Sequence, residues 1–309
     1  SRFPGVHSLL IQRRGVLVFE QYFDPGSAGE RHTLQSVTKS FASALVGIAI
    51  ARGDIESPEE RVLDFFPEWD AELGADERRS AMRVEDVLTM RTGTDYNESG
   101  PNSPHAELNA LPTGWDRFWL ERPMVTQPGT AWQYDSGGAV ALSSMLRHRS
   151  GMHADAYAQE VLVGPLAIDD VRWATNAEGH PHTGGGLFLT SRDALKLGQL
   201  YLQRGEWEGT QLIPESWVDA SLERHHTFPA PRGSAGRIEA YGYLWWVLAP
   251  DPGGSGSADI YAALGYRGQA IFVVPEHELV VVATGWIEPG APRGPIDLLY
   301  GELLPAVLR

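Results

Sequence analysis

Apolar residues at the start of this 309-residue chain alternate with short polar breaks in two distinct patterns. Residues 8–12 and 16–23 are β-branched and aromatic runs on either side of an Arg-Arg-Gly segment at 13–15, which predicts a β-hairpin. Residues 39–51 are apolar on almost all sides and end at an Arg-Gly pair at 52–53. This second pattern predicts a buried helix with a glycine C-cap.

The pattern changes twice more along the chain. Helical spacing dominates the middle and is clearest over 84–90 and 191–202. After residue 224, apolar runs bounded by turn residues predict strands over 241–248, 260–264, 270–274 and 279–283. A last helix is predicted over 296–308, and the segment 97–114, rich in Pro, Asn, Ser and Gly, predicts a long loop that serves either as a lid or as plain surface.

Strands at both ends of the chain with helices between them predict one antiparallel sheet assembled from the two termini. The predicted fold class is α/β plus α, an antiparallel β-sheet flanked by helices with an inserted, mainly helical lobe. We expect 1–54 and 225–309 to form the α/β lobe and 55–224 the helical lobe, with the active site at the lobe interface.

Composition and charge exclude several classes of protein. A hydrophobic content of 42% with ten tryptophans is typical of a globular protein of enzyme size. The formal charge of -15 and the pI near 5.1 oppose binding to a phosphate backbone, so no nucleic-acid partner is expected. No run approaches the roughly twenty apolar residues that span a bilayer, so we expect a soluble protein without a membrane span.

Cysteine is absent, which excludes disulfides, thiolate nucleophiles and Cys-zinc sites. It also removes the usual indicator of the redox compartment. Localisation therefore stays open, with a secreted or periplasmic location favoured over a cytoplasmic one. The chain begins at Ser1 without a methionine, and an N-terminal leader could precede it.

Lysine is rare, with two residues against twenty-three arginines, and Lys39 lies three residues after Ser36. Lysine can lose its proton when desolvated whereas arginine stays protonated, so of the two only lysine can accept a proton from a serine hydroxyl. Ser-x-x-Lys therefore indicates a nucleophile with its base. The same spacing arises by chance in about one such chain in ten. The second lysine, Lys196, falls in a predicted helix and is expected to be structural.

A lysine base also needs a proton relay to the leaving group and donors for the oxyanion, and two later motifs supply candidates. The first, Tyr-Asp-Ser-Gly-Gly at 134–138, follows a Gln-Pro-Gly turn and opens an apolar helix. The second, Leu-Gly-Tyr-Arg-Gly-Gln at 264–269, falls on a predicted strand. Taken alone, Tyr134 fits an ordinary buried tyrosine as well as an acid-base group.

Taken in order along the chain, these motifs resemble the serine β-lactamase and penicillin-recognising superfamily. Within that superfamily the chain resembles the class C β-lactamase-related hydrolases, which include DD-peptidases, certain carboxylesterases and 6-aminohexanoate-dimer hydrolases. The resemblance covers nearly the whole chain and is carried by the blocks 36–41, 86–93, 134–136, 184–187, 243–246 and 268–269.

The resemblance implies a role for each matched residue. Ser36 would be the acylated nucleophile, Lys39 its base or proton relay, and Tyr134 their phenolic partner. The backbone N–H groups of Ser36 and Gln269 would form the oxyanion hole, which is consistent with a helix N-terminus at Ser36. Ser136 takes the place where class C enzymes usually carry asparagine, and would contact substrate.

The third motif departs from that of lactam-recognising relatives. Tyr266 stands where they carry the lysine or histidine that helps to hold the substrate carboxylate. Arg267 is adjacent, but neighbouring strand residues point to opposite faces, so it would not substitute if Tyr266 faces the site. The Tyr-x-Gly-Gln form, with Gly268 and Gln269, looks most like the 6-aminohexanoate-dimer hydrolase and esterase branch. Tyr266 and Gly268 are predicted to bind substrate.

The predicted function is that of a serine hydrolase acting on a small ester or amide. A β-lactamase or DD-peptidase is the first alternative, and a non-catalytic β-lactam-binding or sensor-like protein is the second. No cofactor is expected. His180 and His182 could suggest a metal pair, but no third ligand accompanies them, so no metal is expected. The oligomeric state stays open.

Overall fold

The computed structural model describes residues 3–98, 103–232, 236–253, 258–288, 291 and 293–307. The strands within these residues, numbered in chain order, are β1 Val6–Arg13, β2 Val16–Tyr22, β3 His32–Thr33, β4 Arg172–Trp173, β5 Leu187–Leu189, β6 Glu206–Trp207, β7 Thr210–Gln211, β8 His226–Arg232, β9 Ile238–Tyr241, β10 Trp246–Leu248, β11 Ile260–Gly265, β12 Gln269–Val274 and β13 Leu279–Gly285.

The α-helices are α1 Thr38–Arg52, α2 Pro67–Leu73, α3 Glu77–Ala81, α4 Val84–Leu88, α5 Pro104–Ala110, α6 Trp115–Leu120, α7 Ser136–Ser150, α8 Ala154–Ala158, α9 Ser191–Leu202, α10 Glu215–Leu222, α11 Pro295–Leu298 and α12 Leu304–Val307. Short 3₁₀ turns form over Gln35–Val37, Val62–Phe65 and Pro275–His277, and π-helical turns over Gln159–Val163 and Leu299–Leu303.

The chain forms two compact units. The first comprises Ser1–Ser40, Ile168–Arg172 and Phe188–Arg309, and the second comprises Phe41–Ala167 and Trp173–Leu187. This division differs from the predicted lobe boundaries, because residues 41–54 belong to the second unit and residues 168–172 and 188–224 to the first.

An eight-stranded antiparallel sheet in the order β2-β1-β13-β12-β11-β10-β9-β8 dominates the first unit. β1 pairs with β13, with Leu10 opposite Val282, which confirms the predicted sheet built from both ends of the chain. Every residue of β12 and β13 is buried. Burial on both faces explains why these strands are continuous apolar runs without polar alternation.

Helix α9 packs directly on this sheet. Its N-cap Thr190 accepts a hydrogen bond from the backbone of Asp193, as an N-cap threonine commonly does. At Gly198, a Cβ atom would lie 2.5 Å from Cγ1 of Val280 and 2.8 Å from Cγ2 of Ile271. The absence of a side chain at Gly198 therefore sets how closely the helix approaches β12 and β13.

The second unit is mainly helical, as predicted, and its core helix is α7. Residues from Ser136 to Leu146 of α7 are all buried. At Gly137, a Cβ atom would lie 2.6 Å from side-chain carbons of both Trp119 and Tyr96, so this helix also makes a close approach that a larger residue would block. Within the described residues, no helix is both long and apolar enough to cross a membrane.

Three predicted segments differ in the structure. The run 241–248 is not one strand but the hairpin β9–β10, in which Trp246 pairs with Tyr241 and Leu244 has a φ of 59°. The predicted loop 97–114 contains α5, and its residues 99–102 lie outside the described part of the chain. The C-terminal helix is interrupted by a π-helical turn between α11 and α12, and Leu308 also lies outside the described residues.

Gly198→Val is expected to lower the free energy of unfolding by about 2 kcal/mol, because the added methyl groups overpack the α9–sheet contact. Urea denaturation would measure it. Gly301→Val is the matched control, since Gly301 is exposed, lies in a helical turn and has open space around its Cα. Equal stability losses in the two variants would contradict the packing explanation.

Candidate active site

Ser36 and Lys39 lie at the beginning of helix α1. Ser36 is partly buried in the 3₁₀ turn that precedes the helix, and Lys39 is only 1% exposed. The Nζ atom of Lys39 donates a hydrogen bond to Oγ of Ser36 over 2.9 Å. The start of the helix is anchored by Ser40, whose hydroxyl donates to the carbonyl oxygen of Leu244 over 2.8 Å. The predicted serine–lysine pair is therefore in direct contact.

A strained residue precedes the serine. Gln35 has a φ of 48°, which is uncommon for a residue with a side chain. Thr33 stabilises this conformation, because its Oγ1 accepts from the backbone N–H of Gln35 over 3.4 Å and from Nε2 over 3.2 Å. The turn places Ser36 just ahead of the N-terminus of α1, where the first N–H groups lack intrahelical acceptors.

Gln269, the first residue of β12, is 1% exposed and bound by its side chain to the end of the neighbouring strand. Its Nε2 donates to the carbonyl oxygen of Gly285 over 2.7 Å, and its Oε1 accepts from the N–H of Gly285 over 3.1 Å. This double hydrogen bond fixes the backbone at Gln269. The sequence pointed to the backbone N–H of Gln269 as a candidate oxyanion donor. It did not indicate that the side chain of Gln269 binds Gly285.

The turn that carries Ser36 packs against β11 and β12. The closest approach is at Gly265, where a Cβ atom would lie 2.4 Å from the carbonyl oxygen of Leu34. Only glycine allows this contact. The first unit therefore brings the turn of Ser36 against the strand that Gln269 begins.

Tyr266 lies in the turn between β11 and β12, not on a strand, so the predicted alternation between Tyr266 and Arg267 is wrong. Tyr266 is 58% exposed. The guanidinium of Arg267 lies 4.2 Å from the ring centroid of Trp286, and its Nη1 is 3.0 Å from a carboxylate oxygen of Glu288. Gly268 has a φ of 98°, a conformation that favours glycine in this turn.

Tyr134 and Ser136 belong to the second unit, on either side of the N-cap residue of α7. Tyr134 is partly buried, with its ring centroid 6.2 Å from that of Trp132. Ser136 is 1% exposed, and its backbone N–H donates to a carboxylate oxygen of Glu98. Ser136 thus lies in the core at the start of α7.

Asp135, which the sequence did not single out, fixes the backbone between these two residues. Its carboxylate accepts hydrogen bonds from the backbone N–H of Gly138 over 2.9 Å, Nε1 of Trp119 over 3.0 Å and Oγ1 of Thr92 over 2.9 Å. Burial raises the pKa of Asp135 from its ordinary value of 3.8 to about 6, although these hydrogen bonds favour the charged form. An aspartate just ahead of a predicted helix is a usual N-cap and could have indicated this role.

His180 and His182 each lie beside polar side chains of the second unit. A ring nitrogen of His180 lies 3.0 Å from Oγ of Ser144, which donates to Asp116 over 2.6 Å. The Nε2 atom of His182 lies 2.9 Å from Oδ1 of Asn109. Among the residues that the structure describes, no group of three or more metal-ligating side chains occurs.

Comparisons with known proteins agree with the fold and the motifs. The family model described as Beta-lactamase matches residues 1–299. The 6-aminohexanoate-dimer hydrolase of Paenarthrobacter ureafaciens is 25% identical over 299 residues, covering 89% of this chain and 72% of that protein.

Two solved structures share the fold at low sequence identity. The first is EstCE1, a hydrolase with promiscuous acyltransferase activity, with a TM-score of 0.77 and 17% identity over 99% of this chain and 94% of that chain. The second is the octameric penicillin-binding protein homologue from Pyrococcus abyssi, with a TM-score of 0.74 and 19% identity over 99% of this chain and 74% of that chain.

Asp135→Asn is expected to change how stability depends on pH. A carboxyl whose pKa is raised by folding stabilises the protein when it is protonated, and this contribution is lost as the pH rises from about 4 through about 6. The stability of the wild type relative to Asp135→Asn should therefore fall over that range. Urea unfolding at a series of pH values measures it, with Asp64→Asn, at an exposed position, as control. A pH-independent difference would contradict the raised pKa.

Proposed function

Because the chain belongs to the β-lactamase family, as the match over residues 1–299 shows, we propose that it is a serine hydrolase that cleaves a small ester or amide through an acyl-enzyme on Ser36. The hydrogen bond between Nζ of Lys39 and Oγ of Ser36, within a largely buried environment, is the observation that supports this proposal most directly. A serine hydroxyl becomes an effective nucleophile when an adjacent base can take its proton.

In the acylation step, Lys39 accepts the proton of Ser36 while Oγ forms a bond to the substrate carbonyl carbon. The carbonyl oxygen takes the negative charge and accepts hydrogen bonds from the backbone N–H groups of Ser36 and Gln269. Tyr134 passes a proton to the leaving alcohol or amine as the scissile bond breaks. Water then attacks the acyl-enzyme, and the proton transfers run in reverse to release the acid and restore Ser36.

The turn at residues 266–269 favours an ester or amide without a carboxylate beside the scissile bond. A phenol at Tyr266 offers one neutral hydrogen bond, whereas a lysine in its place would offer a charge-assisted bond roughly twice as strong. The neighbouring cation, Arg267, forms an ion pair with Glu288 and lies over the ring of Trp286. We propose that Tyr266, Gly268 and Ser136 contact the substrate.

Two alternatives rest on the same fold. β-Lactamase or DD-peptidase activity would use the same nucleophile on a carboxylate-bearing substrate. A non-catalytic sensor would acylate Ser36 and stop. Steady-state turnover of p-nitrophenyl butyrate and of nitrocefin distinguishes these two alternatives from the proposed ester or amide hydrolase. A sensor releases at most one equivalent of chromophore, and a β-lactamase turns over nitrocefin faster than the ester.

Ser36→Ala is expected to abolish covalent labelling by a fluorophosphonate and turnover of p-nitrophenyl butyrate, because the variant lacks the attacking oxygen. Intact-mass spectrometry would show one adduct on the wild type and none on the variant. Far-UV circular dichroism of the two proteins should be the same, since Ser36 lies in a turn. An adduct on Ser36→Ala would exclude Ser36 as the nucleophile.

Lys39→Arg is expected to be nearly as inactive as Lys39→Ala, with turnover reduced by roughly a hundredfold or more, because arginine keeps the charge but cannot accept a proton. Lys196→Arg is the matched control. Lys196 is the second lysine of the chain and pairs with Asp193 on α9 at 2.9 Å. If Lys39→Arg hydrolysed the ester at the rate of the control, Lys39 would act only as a fixed positive charge and not as a proton acceptor.

A further inference from the structure

The first unit contains a polar cavity of about 610 Å³ whose lining does not include Ser36, Lys39 or Gln269. It lies where β1 and β13 meet the N-terminus of α9, with Ser8 and Thr284 contributed by the two strands. Cavities of this size commonly hold small organic molecules.

Three buried hydroxyls form one wall of this cavity. Oγ of Ser8 lies 2.7 Å from Oγ of Ser191 and 2.7 Å from Oγ1 of Thr284. All three residues are at most 4% exposed. Three hydroxyls carry three protons, and these two hydrogen bonds use two of them. The wall therefore retains one hydroxyl donor, and a buried donor without an acceptor costs free energy.

A pair of histidines forms another wall. Nδ1 of His7 lies 3.0 Å from Nε2 of His32, and Nδ1 of His32 lies 2.9 Å from the carbonyl oxygen of Thr33. A carbonyl can only accept, so Nδ1 of His32 carries a proton and Nε2 of the neutral ring accepts from His7. Nε2 of His7 is then the atom that takes up a proton when the pair becomes charged.

The remaining charges at the cavity balance one another. The guanidinium of Arg31 lies 2.5 Å from Asp170 in an ion pair. Arg172 lies over the ring of Phe188 at 4.0 Å and has no ion-pair partner within the described residues. With Glu30 the cavity holds two arginines and two carboxylates, so its net charge is zero with both histidines neutral and +1 when His7 is protonated.

We propose that this cavity binds a small organic monocarboxylate, with its carboxylate held by Arg172 and the hydroxyl wall and its apolar part against Phe188. One negative charge matches the single positive charge that a proton on His7 adds. The volume exceeds that of a carboxylate group, which leaves room for an organic substituent.

Binding of such an anion is coupled to a proton on His7. Burial lowers the pKa of His7, and His32 lowers it further. A bound carboxylate favours the charged imidazole and so raises the pKa of His7 in the complex, and affinity therefore rises as the pH falls toward the lower pKa of the free protein. The other titratable and charged side chains that line the cavity with His7 are Tyr22, Glu30, Arg31, His32, Asp170 and Arg172.

Calorimetric titration of the full chain with butyrate, and with butyramide as its neutral counterpart, tests the proposal. Butyrate should bind roughly tenfold more tightly near pH 6 than near pH 8, since the carboxylate and the His7 proton bind together. Butyramide should not bind detectably at either pH. Equal binding of the two compounds would overturn the proposal.

Two variants locate the site. Arg172→Ala should weaken butyrate binding roughly tenfold, because a charge-assisted bond is lost. Arg192→Ala is the matched control and should bind like the wild type, since Arg192 is exposed, pairs with Glu20 and does not line the cavity. His7→Gln should bind butyrate with little dependence on pH. Wild-type affinity in Arg172→Ala would overturn the proposal by placing butyrate elsewhere, including in the catalytic site.

Discussion

The pairing of β1 with β13 is the interaction on which the first unit depends. It joins strands that lie more than 260 residues apart in the chain and places the N-terminal hairpin beside β13, whose residues are all buried. β13 also carries Gly285 at its end, where the side chain of Gln269 from the neighbouring strand β12 binds it. The candidate oxyanion donor is therefore held by the same strand that joins the two ends of the chain.

The turn that precedes Ser36 combines a strained backbone with close contacts to its neighbours. The left-handed conformation of Gln35 is unfavourable in isolation and is offset by the hydrogen bonds to Thr33. The contact of Leu34 with Gly265 holds the same turn against the sheet from the other side. These contacts belong to one unit, and together they hold the turn of Ser36 against its neighbouring strands, as the positioning of a nucleophile in the proposed covalent catalysis requires.

The sequence predicted the elements whose pattern is strong and local. The hairpin at the start, the apolar helix α1 and the core strands β11 to β13 are all apolar runs with turn residues at their ends, and the family resemblance carried by the ordered motifs is confirmed. The hairpin β9–β10 was missed because three of the four residues in its turn, Tyr243, Leu244 and Trp245, are aromatic or apolar and continue the pattern of a strand. Helix α5 was missed because its cap, Ser103 followed by Pro104, resembles a loop. Contacts such as that of Asp135 with Trp119 join distant positions and leave no periodic pattern in one sequence.

The burial of Lys39 has a practical consequence for chemical labelling. With two lysines in the chain, an amine-reactive reagent meets Lys196, whose side chain is 24% exposed, far more readily than Lys39 at 1%. Acylation of Lys39 by such a reagent would therefore report transient opening of the turn around Ser36, with Lys196 as an internal reference in the same molecule. Because the chain has only two lysines, the labelling rate of Lys39 relative to that of Lys196 would measure local opening around Ser36.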